Sequence, residues 1–189
     1  MRLKDYDYSS PGAYFITITT VDRPCLFGDI IDGEMRLNYA GRIVQTVWKE
    51  LPLHYSYVES DAFIVMPNHV HWIIVLSDRM SVGAGLKPAP TRHGIPEIVR
   101  AFKTFSARRI NQTRSMAGKA IWQRNYFEHV IRNEESLNCI RQYIIDNPAG
   151  WEFDRENPAA TNPEADNAWR TDTNVGAGLK PAPTAEKWA

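Results

Sequence analysis

Residues 62–76 read Ala62-Phe-Ile-Val-Met-Pro-Asn-His-Val-His-Trp-Ile-Ile-Val-Leu76. Two short apolar runs rich in β-branched residues, Phe63 to Met66 and Trp72 to Leu76, flank Pro67-Asn68, the punctuation of two strands joined by a turn. The second run opens on His69-Val70-His71. Side chains alternate faces along a strand, so residues i and i+2 point the same way. Val70 can enter a core while both imidazoles converge, the start of a divalent-metal site that a third ligand from elsewhere must complete. A His-x-His pair on a strand also fits surface or hydrogen-bonded histidines, so the neighbouring segments have to decide.

Tyr14 to Val21 alternates and is β-branched, a strand entered from Pro11-Gly12. Leu26 to Leu37 reads as a hairpin turning at Asp32-Gly33. Ile43, Val44, Val47, Trp48 and Leu51 follow the helical period and define a helix over 40–51. A second helix runs over 96–111, with Pro96 and Glu97 in its first turn and Ile98, Phe102 and Phe105 in one stripe. Residues 120–123 and 127–132 are extended. Asn133 caps a third helix whose first turn carries Glu134 and Glu135, and Pro148 ends it. The order strand, helix, strand, strand, helix, strand, helix predicts an α+β fold. It fits a ferredoxin-like split βαβ sheet with the helices packed on one face and the histidines on a central strand.

The chain has 189 residues and a formal net charge of zero, with 22 basic and 22 acidic side chains. Their distribution is uneven. Residues 1–91 carry 8 basic against 10 acidic, residues 92–142 carry 10 against 4, and residues 143–189 carry 4 against 8. The basic middle third is the footprint of a polyanion-binding face, or of a solvated helix surface. Cys25 and Cys139 cannot form a disulfide framework. The N-terminus has no apolar leader and no run reaches membrane-spanning length, so a cytoplasmic protein with no membrane partner is expected. After about residue 154 the chain is rich in Pro, Asn, Ala and Asp and reads as a disordered tail.

In the third helix Leu137, Ile140 and Ile144 form an apolar stripe. Cys139, Tyr143 and Asn147, spaced four apart, stack on an adjacent face. A phenol one turn from an amide oxygen is what a tyrosine nucleophile beside a metal-bound phosphate requires. The spacing also suits a half-buried core tyrosine and a helix-end asparagine before proline.

Three stretches, taken in order, resemble the motifs of REP-associated tyrosine transposases, which belong to the HUH single-strand DNA endonucleases. They are Met66-Pro-Asn-His-Val-His-Trp72, Trp122-Gln-Arg-Asn-Tyr-Phe-Glu-His-Val-Ile-Arg-Asn133 and Tyr143-Ile-Ile-Asp-Asn-Pro148. The Gly12-Ala-Tyr-Phe-Ile-Thr17 opening is similar as well. The resemblance implies a catalytic domain over 1–155, interrupted by a loop at about 80–94, and a tail over 156–189. It also implies cleavage beside single-stranded palindromic hairpins by a metal-dependent endonuclease, with a covalent 5′-phosphotyrosine and a free 3′-OH. His69, His71 and Asn147 would be metal ligands and Tyr143 the nucleophile. Mg²⁺ or Mn²⁺ suits oxygen ligands and phosphate, while two imidazoles would also accept Zn²⁺. Rejoining needs no ATP, and the sequence has no phosphate-binding G-x-x-x-x-G-K-[ST] loop. The partner expected is hairpin or single-stranded DNA of the REP-like palindromic kind, bound by a monomer or, as the alternative, a dimer.

Arg100, Lys103, Arg108, Arg109 and Arg124 are candidates for phosphate contacts, and Trp122, like Trp72, for base stacking. Core packing is the other use of a tryptophan. Tyr126 is the competing phenol, although no ligand follows one turn later. His129 could approach the site or bond a neighbour. Two rival functions remain: a non-catalytic nucleic-acid module on the same sheet, and a metallohydrolase using a bound water.

A repeated decapeptide serves none of these functions. Val82-Gly-Ala-Gly-Leu-Lys-Pro-Ala-Pro-Thr91 recurs unchanged as Val175 to Thr184. It reads as a flexible Pro/Gly linker used twice. Reverse translation instead gives a self-complementary strand of about 29 nucleotides. The Val-Gly start also permits GTAG, the tetranucleotide that the resemblance implies at the foot of such palindromes.

Overall fold

The computed structural model describes residues 6–78 and 93–160. In order the elements are β1 (Gly12–Thr19), β2 (Gly28–Ile31), β3 (Glu34–Leu37), α1 (Tyr39–His54), β4 (Val58–Val65), β5 (His69–Leu76), α2 (Ile95–Thr113), β6 (Phe127–Ile131), α3 (Glu134–Asp146) and a 3₁₀ turn, Trp151–Phe153. The main sheet has the order β4-β5-β1-β6 and is antiparallel throughout. With the β2–β3 hairpin set aside, this is the ferredoxin-like β1-α1-β4-β5-α2-β6 arrangement, and β5 and β1 are its two central strands. The hairpin turns through Asp32 at φ 53° and Gly33 at φ 74°, the double left-handed geometry of a tight primed turn. Asn38 caps α1 by accepting from the Gly41 amide, and Asn133 caps α3 by accepting from the Ser136 amide.

Alternation sends two sets of side chains to opposite faces. Tyr14, Ile16 and Ile18 of β1 and Val70, Trp72, Ile74 and Leu76 of β5 bury against Val44, Val47 and Leu51 of α1 and Ile98, Val99 and Phe102 of α2. Trp72 is fully buried there, its ring 4.8 Å from that of Phe102. The other face carries Ala13, Phe15, Ile73 and Ile131, covered by Leu137, Ile140 and Ile144 of α3. The expectation of helices on one face only is therefore corrected. The apolar stripe of α3 needs its own partner, and α1 and α2 already fill the first face.

A bulge in β4 between Ser60 and Phe63 sets the position of α3. One extra residue lets Val58 and Val65 share a face although an even number of residues lies between them, a spacing that in a regular strand would put them on opposite faces. Asp61, at the bulge, accepts from Arg141 Nε at 2.8 Å and from the same guanidinium's Nη2. This bidentate pair fixes α3 across the sheet. Residues 156–160 of the expected tail also belong to the folded unit: the Glu156 carbonyl accepts from Asn68, and Asn157 Nδ2 donates to the Trp151 carbonyl. Residues 161–189 lie outside the described residues. No helix among the described residues is long and apolar enough to cross a membrane.

Gly41 lets α1 approach the chain before β2, because a Cβ there would stand 2.3 Å from the Phe27 carbonyl oxygen. Gly41→Ala should destabilise the domain by about 1–3 kcal/mol, read as a lower thermal midpoint with unchanged secondary structure.

Candidate functional site

The pair at positions 69 and 71 lies on the α3 face of β5 and is buried, at 0% and 2% exposure. The two Nε2 atoms are 3.0 Å apart. Buried imidazoles need partners for their remaining nitrogens, and the neighbouring elements supply them. Thr17, paired with His71 across the β1–β5 ladder, places Oγ1 2.9 Å from His71 Nδ1. Asn68, in the turn before β5, places Oδ1 2.9 Å from His69 Nδ1. The Phe15 ring stacks on His71 with their centres 5.4 Å apart.

The Asn68 contact fixes a tautomer. Its Nδ2 donates to the carbonyls of Arg23 at 3.0 Å and Glu156 at 2.6 Å, so both N–H groups are committed and Oδ1 is left to accept. His69 Nδ1 therefore carries the hydrogen, and Nε2 turns its lone pair to the centre. Burial pushes the His69 pKa down to about 4, with Glu156 raising it and Arg23 lowering it more weakly. His69 is neutral at physiological pH, the form that can act as a ligand. With that lone pair facing it, His71 Nε2 carries the hydrogen that joins the rings, and Thr17 donates to Nδ1.

Tyr143 projects from α3 to this centre, with Oη 3.3 Å from His71 Nε2 and its ring edge-on to Phe15. Asn147, one turn on at the C-cap of α3, is buried at 4% exposure. Its Oδ1 has no hydrogen-bond partner among the described residues. The chain then turns through residues 151–153 and delivers a buried carboxylate, Asp154, whose Oδ2 is 3.7 Å from His69 Nε2. One ligand atom from each of His69, His71 and Asp154 lies within 4.8 Å of the others.

The donor set suits a small divalent ion. With ligand bonds of about 2.1 Å, two nitrogens on one ion stand roughly 3.0–3.4 Å apart, matching the Nε2 pair. A carboxylate and a buried amide oxygen without a hydrogen-bond partner lie on the same side of the fold. Asn68, Asp154 and Thr17 do not stand out in the sequence. Asn68 reads as a turn residue, Asp154 falls in a composition typical of tails, and Thr17 is one threonine of an alternating strand.

The other candidates have varied placements. Tyr126 packs with the first-face core, its ring centre 5.3 Å from Lys103 Nζ, while Tyr143 is the phenol at the histidines. Lys103 Nζ donates to the carbonyls of Gln123, Arg124 and Asn125, and burial lowers its pKa to about 8. Trp122 is buried and its Nε1 donates to Ser106 Oγ at 2.8 Å, leaving no open face for a base. Arg100 pairs with Glu97 and Arg109 with Glu50, contacts weak enough in water to exchange for phosphate. Arg108 and Arg124 are exposed. His129 is half-buried on the α3 face, with its pKa lowered by burial and by Arg132. A cleft of about 200 Å³ opens beside Thr17, lined by Thr19, Arg23, Asn125, Phe127 and Arg155 among others.

A ferredoxin-like sheet carrying His-x-His on a central strand, with a phenol brought to it from α3, defines a class, and comparison with known proteins agrees with it. The family described as "Transposase IS200 like" matches residues 44–147. An uncharacterised protein of Haemophilus influenzae is 39% identical over 167 residues, covering 82% of this chain and 90% of its own length. A second protein of that organism, named as a REP-associated tyrosine transposase, is 30% identical over 147 residues, covering 75% and 73%. The chain belongs to the IS200-like transposase family. A solved REP-associated tyrosine transposase bound to a REP hairpin superposes with a TM-score of 0.53 at 21% identity, over 79% of this chain and 73% of that one, a likeness of fold.

Asn68→Ala removes the acceptor that orients His69. Divalent-ion affinity, measured by calorimetry, should fall about 10–100-fold while circular dichroism stays native; unchanged affinity would mean that the tautomer is set elsewhere.

Proposed function

We propose that the protein is a metal-dependent single-strand DNA endonuclease and transposase that binds a folded palindromic strand, cleaves it and rejoins it through Tyr143. The observation that carries this reading is the Tyr143 hydroxyl 3.3 Å from a buried histidine pair, in a chain of the IS200-like transposase family.

His69 and His71 would hold a divalent cation, Mg²⁺ or Mn²⁺, with Asn147 giving an amide oxygen and Asp154 a carboxylate. When bound, such an ion withdraws electron density from a phosphoryl oxygen. The phenolic oxygen of Tyr143 attacks phosphorus, a new O–P bond forms and the P–O3′ bond breaks. The phenol gives up its proton, and the departing 3′-oxygen leaves as a hydroxyl. The 5′-phosphate stays on tyrosine. One phosphodiester is exchanged for another, so the reverse attack by a 3′-OH reseals the strand without ATP. Phe15 and the Asp61–Arg141 pair hold α3, and with it Tyr143, in position. Exposed Arg108 and Arg124, with Arg100 and Arg109, would track phosphates outside the site.

Two experiments test this. Tyr143→Phe keeps the packing and removes the attacking oxygen, so covalent protein–DNA adduct on denaturing gels should fall below detection while hairpin binding persists. Wild-type protein should lose adduct formation in chelator, as should a folded His71→Ala variant. Adduct formed by Tyr143→Phe but abolished in Tyr126→Phe would move the nucleophile, and cleavage without any adduct would point to a water-using hydrolase. For binding, Arg108→Ala with Arg124→Ala should reduce the slope of log affinity against log salt by about 0.7 for each phosphate no longer neutralised. An unchanged slope would place the strand on another face.

A further inference from the structure

The decapeptide repeated at 82–91 and 175–184 lies outside the described residues in both copies, but the flanks of the first are described. After β5, the Ser77 amide and hydroxyl donate to the Tyr57 carbonyl at 2.9 and 3.2 Å. Before α2, the His93 amide donates to the Tyr57 hydroxyl at 2.9 Å, and that hydroxyl donates to the His93 carbonyl at 3.0 Å. Tyr57 thus binds the chain on both sides of the first copy, and Ile95 is tied separately to the Tyr8 carbonyl. Among the described residues, the contacts that tie the end of β5 to the start of α2 are made by residues outside the repeat. The second copy follows the last described residue of the domain. Neither place explains why ten residues should be identical.

The coding strand does. The peptide is specified by GTN GGN GCN GGN TTR AAR CCN GCN CCN ACN, with leucine as TTR. Folded about the third base of the leucine codon, the two fixed bases of valine face those of threonine. The first glycine faces the second proline, alanine faces alanine, the second glycine faces the first proline, and leucine faces lysine. Every base pair fixed by the amino acids is then Watson–Crick complementary, and the remaining pairs fall at third positions free to match. GGN and CCN are complements, which is why glycines fill one arm and prolines the other. A flexible linker has no need of this mirror order.

We infer that the two decapeptides are translated copies of one palindromic DNA element, and that this element, folded as a single strand of about 29 nucleotides, is a ligand of the protein whose gene carries it. The second half of the inference rests on the function proposed above. It names the ligand as a GC-rich stem-loop with the arms written in residues 82–91.

The test has a genetic and a biochemical arm. Third-position bases in both copies of the gene should be complementary across the leucine codon. Full-length protein should bind the gene's own strand at least about tenfold more tightly than two controls. One has its 3′ arm shuffled so that it cannot fold, and the other is an unrelated stem-loop of equal length and GC content. Deleting residues 82–91 should leave the thermal midpoint and hairpin binding essentially unchanged. Third positions mismatched in both copies would overturn the palindrome, and loss of folding on deletion would overturn the passive insertion. Equal or tighter binding of the unrelated stem-loop would overturn the ligand assignment alone, leaving the proposed function standing. If no folded strand is bound at all, the proposed function fails and the ligand assignment with it.

Discussion

Two imidazoles set side by side on a central strand, with almost no access to water, must have each nitrogen answered by a protein group or lose several kcal/mol. Much of the architecture around β5 follows from that demand. The neighbouring strand contributes a threonine at the register position opposite His71, and the preceding turn contributes an amide with both hydrogens committed. The helix across the face contributes a phenol, and the chain beyond it returns with a carboxylate. A central strand of an antiparallel sheet otherwise carries apolar residues on any covered face, as β5 does on the α1–α2 side. The polar centre is retained at a cost in stability, and such a sacrifice in a fold of this size marks a functional site.

The sheet separates two tasks. On one face, α1 and α2 pack a large aromatic core around Trp72, Phe102 and Trp122. That side provides rigidity. On the other face α3 covers only part of the sheet, leaving the ends of β1 and β6 open to a cleft beside Thr17. The extra residue in β4 brings Asp61 to Arg141, and the orientation of Tyr143 follows from that ion pair and from Phe15. The Tyr143 phenol is thus held by contacts on both flanks of its helix, which limits how far it can swing.

Much of this is legible in the sequence where periodicity and punctuation agree. The strand pair around Pro67-Asn68, the Asp32-Gly33 hairpin and the Asn133 cap are local signals and stand where expected, to within a few residues at element ends. The helical stripe of α2 is less well read: Phe105, counted with Ile98 and Phe102, is 47% exposed, while Val99, Ser106 and Ile110 complete the buried face. Local pattern does not say which face of the sheet a helix will cover, so the side taken by α3 is out of its reach. The same limit hides Asp154. An aspartate among prolines and asparagines has tail-like composition, and its burial depends on a turn at Trp151 that no periodicity announces. Trp122 and Lys103 show the reverse problem, because a residue type suited to nucleic acid is here used by the interior.

The hydroxyl of Thr17 has a further effect, since it can donate a hydrogen bond or accept one. With the His69 Nε2 lone pair turned to His71, it donates to His71 Nδ1 while His71 Nε2 carries the ring hydrogen toward His69. Turned over, the same hydroxyl would accept from Nδ1–H and leave Nε2 bare. Both arrangements contain the same number of protons. The ring pair can therefore change from a self-bonded couple to two converging lone pairs by moving one hydrogen within His71, with none released to solvent. A valine at 17 would keep the shape and abolish that reversal, which makes this threonine the group on which the exchange between the two arrangements depends.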